Sequence, residues 1–389
     1  MILGILSRIT GTNAISLSTG LIFLAVGAFG LNIGSAIYDS TYTNFLVSDL
    51  NIDAFQIGVM ESVREIPGLL TVFILGSIMS FSRPLLAGIS VLIFGLGIAG
   101  ISVAGNWVEV TAWLVVWSVG FHCWTPLRSS IAMYLGEPRQ EGKRIGQIYS
   151  VASIASITAT ASVAIVGSLM TVEYRFFFIA AGLITVFFGI FVFQIPSERK
   201  MFKPVRFVVK KRYITYYIMS FLEGARRQIF SIFALFVLVK IFSQDVTVIA
   251  ITLVVRQILT FVSAPYVGKL LDRIGPKIVL TANYVLMIGN FLVYAYVRNV
   301  FFLLAVYTLS SVLIGISMIS LVVYVGKTSP PEDVTPSLAM GQTIEHIAAV
   351  ILPLAGGIMW GLFGYEANFL VGAVVTLSLL ILVQRIDRT

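Results

Sequence analysis

The sequence predicts an all-α integral membrane protein: twelve membrane-crossing helices in two pseudo-symmetric bundles of six, with both termini cytoplasmic. Three observations carry that prediction. Hydrophobic residues make up 58% of the 389 and charged residues 11%, with a mean hydropathy of +0.97, a balance no soluble domain of this length keeps in water. The apolar runs number about twelve, each near the roughly 20 residues that cross a bilayer core about 30 Å thick. Sliding the chain over itself by 192 positions brings Arg64 onto Arg256, Gly76 onto Gly268 and Pro84 onto Pro276, so the halves read as copies.

Taken in order, the first span covers 18–46 and contains Asp39. It is too long for a signal-peptide core and no small-residue cleavage site follows it, so it is expected to be retained. The second, 55–79, carries Glu61, Arg64 and Glu65 beside Pro67 in an otherwise oil-like segment. The third, 84–104, includes "GLGIAG" at 95–100, which spells the dinucleotide fingerprint. That fingerprint needs a preceding strand and an acid about 20 residues on, so here it reads as close helix packing. The fourth, 108–134, holds the lone cysteine, Cys123, which excludes an internal disulfide and any CxxC site, together with Trp117, His122, Trp124, Pro126 and Arg128. The fifth, 145–170, is crowded with small and hydroxyl residues that suit either tight packing or a polar cavity wall.

The sixth span, 174–195, closes the first half. The seventh, 213–240, brings Tyr216, Tyr217, Glu223, Arg226 and Arg227, and the eighth, 246–269, brings Arg256. Spans at 276–297, 300–326, 338–362 (with Glu345 and His346) and 367–384 complete the set.

The surplus charge of +8 is informative through its placement. Arg8, Arg83, Arg139, Lys143, Arg144, Lys269, Arg273, Lys277, Lys327, Arg385 and Arg388 fall on one side of the predicted membrane, together with the basic segment "PSERKMFKPVRFVVKKR" at 196–212. Only Arg175, Lys240 and Arg298 fall on the other. Positive-inside sorting therefore puts both termini and the segment in the cytoplasm, with 1–195 and 213–389 as bundles and 196–212 as their linker. The partner implied is the lipid bilayer, not nucleic acid.

"GKLLDRIGPK" at 268–277, between the eighth and ninth spans, is similar to the GxLxDRxGxK/R loop signature of the major facilitator superfamily. With the internal repeat and "PRQEGKRIGQ" after the fourth span, the resemblance covers essentially the whole chain. It implies a monomeric secondary transporter of a prokaryotic cytoplasmic membrane, in which two bundles rock around a central site. It also implies a gating role for Gly268, Asp272, Arg273 and Gly275. The first copy, "GSIMSFSRPL", departs from the signature, with Ser80 and Phe81 where Asp and Arg would stand. An exporter of lipophilic drugs is the alternative within the fold. The superfamily's drug/proton antiporters often carry a glycine motif with GP in the fifth span, whereas here that span has only Gly167 and no proline.

Charges at mid-bilayer cost about 2.5–3.5 kcal/mol each on the insertion scale, so each must face a partner or water. Arg64 and Arg256 lie twelve residues before Gly76 and Gly268, about 18 Å along a helix, which puts both near the midplane. Two guanidiniums from opposite halves at one depth make a clamp suited to carboxylate or phosphate. Arg226, Tyr217 and Trp124 are the further substrate-binding candidates, and Glu61, Glu65, Glu223, Glu345 and Asp39 the proton-coupling ones. The competing reading is structural: Glu61 with Arg64, and Glu223 with Arg226, are three apart on one helix face and can neutralise each other in lipid. Arg256 has no such neighbour, which leaves Glu65, Glu345, Asp39 or a ligand to answer it. No HExxH, Walker loop, GxSxG or His/Cys cluster occurs in the sequence, so no catalytic residue, cofactor or metal is expected.

Overall fold

The computed structural model describes residues 17–78, 80–135, 141–196 and 210–386. Arg8, Arg139, Arg388 and linker residues 197–209, all used in the charge comparison, lie outside the described residues. The chain is helical throughout: α1 Leu17–Ser48, α2 Ala54–Ile78, α3 Arg83–Ile101, α4 Trp107–Tyr134, α5 Glu141–Leu169 and α6 Tyr174–Gly189 with a 3-10 turn Ile190–Gln194. After the linker come α7 Ile214–Lys240, α8 (246–274), α9 (276–296), α10 Val300–Thr328, α11 Pro331–Phe363 and α12 Tyr365–Val383.

Nine stretches among the described residues are by themselves long and apolar enough to cross a membrane. The helices outside that group are α2, α4 and α7. These are the ones that carry Glu61, Arg64 and Glu65; His122 and Arg128; and Glu223, Arg226 and Arg227. Large apolar side chains such as Leu169, Phe176, Phe301 and Leu362 point outward, as they do on a lipid-facing surface.

Two helix boundaries differ from the sequence expectation. The sequence places the break between the eighth and ninth spans over 270–275, but helix continues to 274. The break is confined to Gly275, at φ 76°, a backbone conformation that only a residue lacking Cβ adopts cheaply. Helix α11 begins at Pro331, seven residues before the expected 338, because Pro331 sits in the first turn, where its missing N–H costs nothing. On the opposite end of the molecule the helix starts are capped by side chains. Asn106 accepts from the amides of Val108 and Glu109, Asp245 from Val248 at 2.9 Å and Asn299 from Phe302 at 3.1 Å, each cap contributing about 1 kcal/mol.

Within the first half, α1 packs on α5 and α6, α3 on α4 and α6, and α2 on α4; within the second, α7 packs on α11 and α12. Two seams join the halves, α2 against α11 and α5 against the 246–296 helices. Along the first seam the backbones nearly touch. A Cβ on Gly58 would lie 2.4 Å from the Pro353 carbonyl oxygen, and one on Gly357 would lie 2.4 Å from that of Ala54. The end of the molecule where α1 stops and α2 starts is closed by bonds between the halves, Asn44 to the Gln244 carbonyl and Lys240 to Asn51, each 2.9 Å. Toward the linker end the halves part. Leu70, Val72 and Phe73 of α2 and Phe261, Val262 and Tyr266 of α8 are exposed there, and a Cβ on Gly76, Gly146 or Gly268 would meet nothing within 4 Å.

Candidate functional site

Between the halves lies a cavity of about 1200 Å³, walled by residues of α1, α2, α4, α5, α7, α8 and α10. Its lining carries four cations, Arg64, Arg128, Arg256 and Lys269, against two carboxylates, Asp39 and Glu61. Arg64 and Arg256 each sit ten residues into their helices, so the repeat delivers both to one depth, about 15 Å from the closed end. Each guanidinium lies over an aromatic ring contributed by the helix two further along its half. Arg64 is 5.1 Å from the Trp117 centroid on α4, and Arg256 is 5.4 Å from Tyr307 on α10.

Their charge environments differ. Arg64 is held between two acids, with Nε 2.8 Å and Nη2 2.7 Å from Glu61 Oε2, and Nη2 2.8 Å from Glu65 Oε1. Arg256 donates from Nη1 to the Tyr307 hydroxyl at 3.0 Å and has no carboxylate within ion-pair distance among the described residues. The register of 192 explains the contrast, since Glu61 and Glu65 in the first copy are Leu253 and Gln257 in the second. Both Leu253 and Gln257 line the cavity, and Gln257 reaches across its seam to the Thr160 hydroxyl at 3.3 Å. Arg128, at the linker end, lies over Tyr149, 4.6 Å from its centroid, and Asp39 is exposed in the wall of α1.

The sequence and the shape can now be set beside known proteins. The model of the Major Facilitator Superfamily matches residues 216–388, the second half of the chain. A mutant form of the nucleoside transporter NupG superposes with a TM-score of 0.80 at 16% identity, covering 94% of this chain and 99% of that one. The chain carries the major facilitator superfamily fold. A D-xylose–proton symporter of that fold aligns with a TM-score of 0.75 at 11% identity, covering 96% of this chain and 99% of that one. A bacterial homologue of the human lysosomal transporter Spinster, in its inward-facing and occupied conformation, gives 0.73 at 11%, covering 94% and 96%. No curated protein sequence matches this one.

Within the superfamily fold, Arg64, Arg256, Glu61 and Asp39 share the cavity, while the other substrate-binding and proton-coupling candidates stand away from it. Arg226 is fully buried, bonded to Glu223 and, at 3.0 Å, to Ser317. Ser317 in turn accepts from Asn283 at 2.7 Å, so this charged pair sits in the packing of α7, α9 and α10. Glu345 pairs with Arg227 at 2.8 Å. Tyr217 packs among Tyr213 and Tyr216, and Trp124 is wholly buried in the first-half core. Glu65 turns from the cavity toward α4 and α11, where His346 Nδ1 is 3.2 Å and His122 Nε2 3.8 Å from its Oε2.

Of the superfamily's signature residues, Gly275 makes the α8–α9 break, while Asp272 and Arg273 are exposed without an ion pair among the described residues. Sequence reasoning passed over Tyr307, Gln228, Gln257 and Tyr149 as wall residues. Extending the 192 register by one turn would have found Gln257; the others carry no signal that separates a cavity wall from a packed core.

Proposed function

We propose that the chain is a secondary transporter that carries a small anionic or zwitterionic solute through the central cavity by alternating access. The observation that carries this reading is Arg256: a permanent cation at mid-depth, on the wall of a cavity of about 1200 Å³, with a tyrosine hydroxyl as its one hydrogen-bond partner among the described residues. A guanidinium in that position needs an anion, and a carboxylate or phosphate entering from the open end meets its fork of donors. The excess of cations over carboxylates in the wall supports the same sign of cargo.

In this reading the halves are two rigid bundles, 1–195 and 213–389, and the linker end with both termini faces the cytoplasm, so the structure is open inward. Closure of that end would bring Asp272 and Arg273 into contact with partners they lack here. Asp39 and Glu61 are the carboxylates placed to exchange a proton with the cavity, since Glu65, Glu223 and Glu345 are each held by a cation away from it. A neutral polar cargo is the second reading. It is favoured by the fold's likeness to a nucleoside transporter and a xylose symporter and by Asn32, Gln228 and Gln257 in the wall.

The test is uptake into proteoliposomes of radiolabelled monocarboxylates, dicarboxylates, phosphate, uridine and xylose, with and without an imposed pH gradient. Uptake of an anion, lost at least about tenfold in Arg256→Ala, is the expected result, a charge-assisted hydrogen bond being worth roughly 1.5–3 kcal/mol. Uptake of uridine or xylose alone would transfer the assignment to the second reading.

A further inference from the structure

The chain has two histidines, one in each half, and the fold brings both to a single carboxylate. Glu65 on α2, His122 on α4 and His346 on α11 place one donor atom each within 4.8 Å of one another, in a spot where the side chains are 7%, 10% and 20% exposed. The rings stand edge to face, 5.0 Å between centroids.

Space for this meeting is made by Gly68, three residues after Glu65. A Cβ there would lie 2.6 Å from His122 Nε2 and 2.9 Å from His346 Cε1, so a side chain at 68 would push both imidazoles off α2.

Hydrogen bonding fixes the tautomer of His122. The Ser118 hydroxyl donates to the Arg64 carbonyl, so it is not available to donate to the ring. His122 Nδ1, 3.0 Å from both the Ser118 carbonyl oxygen and the hydroxyl, is therefore the donor. Nε2 is left with a lone pair aimed at Glu65 Oε2, an acceptor facing an acceptor in a partly buried place. A positive centre between them, a proton or a metal ion, makes that arrangement favourable. His346 Nδ1 lies 3.2 Å from the same oxygen.

We propose that Glu65, His122 and His346 form a binding site for a divalent transition-metal ion that ties α11 of the second half to α2 and α4 of the first. Two imidazoles and one carboxylate are a set that Zn²⁺ accepts, with a fourth position open. Ligand bonds of about 2.0–2.2 Å place tetrahedral donors roughly 3.3 Å apart, so the 3.2 Å contact already fits, while the 3.8 Å contact and the separation of the two histidine donors, within 4.8 Å, must draw in around the ion. Arg64 on the other Glu65 oxygen does not forbid a dication, because Glu61 also neutralises it and the group of three carries a net negative charge. The site stands apart from the cavity lining, so its ion is a fastening and not cargo.

The test uses the chain without a polyhistidine tag, stripped with EDTA and titrated with ZnCl₂ in detergent by calorimetry. One Zn²⁺ per chain is expected to bind and raise the apparent unfolding temperature, with Mg²⁺ giving neither effect. His122→Gln and His346→Gln should each weaken Zn²⁺ binding by at least about tenfold while eluting as the wild type does on gel filtration. Co²⁺ should give the intense visible bands of a four-coordinate site in the wild type, a readout that needs no variant to fold. Absence of Zn²⁺ binding, binding equal in both variants, or only the weak spectrum of six-coordinate Co²⁺ would overturn the proposal and leave the histidines as hydrogen-bond partners of Glu65. None of these results bears on the cargo.

Discussion

Arg64 and Arg256 are the same residue at the same depth of two repeated helices, yet the structure gives them different work. Removing Arg64 strands Glu61 and Glu65, both buried, and truncating one side of such an ion network costs about 3–5 kcal/mol. Removing Arg256 frees, among the described residues, the Tyr307 hydroxyl alone. Arg64→Ala is therefore expected to lower the unfolding temperature of the detergent-solubilised protein clearly, and Arg256→Ala to leave it near that of the wild type; equal losses would mean that Arg256 has an acid partner. The sequence made both arginines visible, because charges in an apolar run stand out and the repeat aligns them. What it left open was the partner of each. Ion pairs across helices depend on rotation about the helix axis, which a period of 3.6 residues does not fix once apolar residues surround the whole helix. Glu65 shows this best. It is one residue from Arg64 in the chain, yet one of its carboxylate oxygens serves that guanidinium while the other faces the histidines of two other helices.

Among the elements, the α2–α11 seam between the halves is a backbone-to-backbone contact, since Gly58 and Gly357 let the two helices meet and Ser62 accepts from the Leu354 amide at 2.9 Å. Backbone cannot move aside as a side-chain tip can, so Gly58→Ala is expected to cost about 1–3 kcal/mol. A thermal melt in detergent reads that cost, and an unchanged midpoint would show the seam to be looser than this. A second fastening ties the linker's end to α11. The buried Asp333 carboxylate accepts from Lys210 Nζ at 2.6 Å, from the Tyr213 hydroxyl at 2.7 Å and from Arg212. Lys210, followed by Tyr213, holds that carboxyl down at about 2, against an ordinary 3.8. A depressed carboxylate contributes stability above its unfolded value and loses it as pH falls through its folded one. Asp333→Asn should therefore lower the unfolding temperature by the same amount at about pH 5 and about pH 8, and by less below 3.8; a deficit that grows between pH 5 and 8 would place the titration elsewhere. Among the described residues, nine of the helices were legible because hydropathy counts length directly, and α2, α4 and α7 from the polar and Pro/Gly breaks that bound their apolar runs, whereas the clasp was not, its acid and its bases lying about 120 residues apart.

For the molecule as a whole, the internal repeat leads one to expect two halves of like construction, and the fold resembles that of the major facilitator superfamily over 94% of the chain. Which end is open was not legible, because in the proposed transport cycle one sequence supports both facings and the closed end rests on a few contacts such as Asn44 with Gln244 and Asn51 with Lys240. The class of cargo rests on the electrostatics of the open cavity, and the most direct measurement is ligand-dependent stabilisation. Wild type and Arg256→Ala in detergent are melted against the same panel of monocarboxylates, dicarboxylates, phosphate, uridine and xylose, together with a cationic dye. A compound that binds the folded state raises the unfolding temperature in proportion to its occupancy. The account predicts that at least one anion stabilises the wild type and loses that effect in Arg256→Ala. Stabilisation by uridine, xylose or the dye alone, or by an anion equally in both proteins, would contradict it.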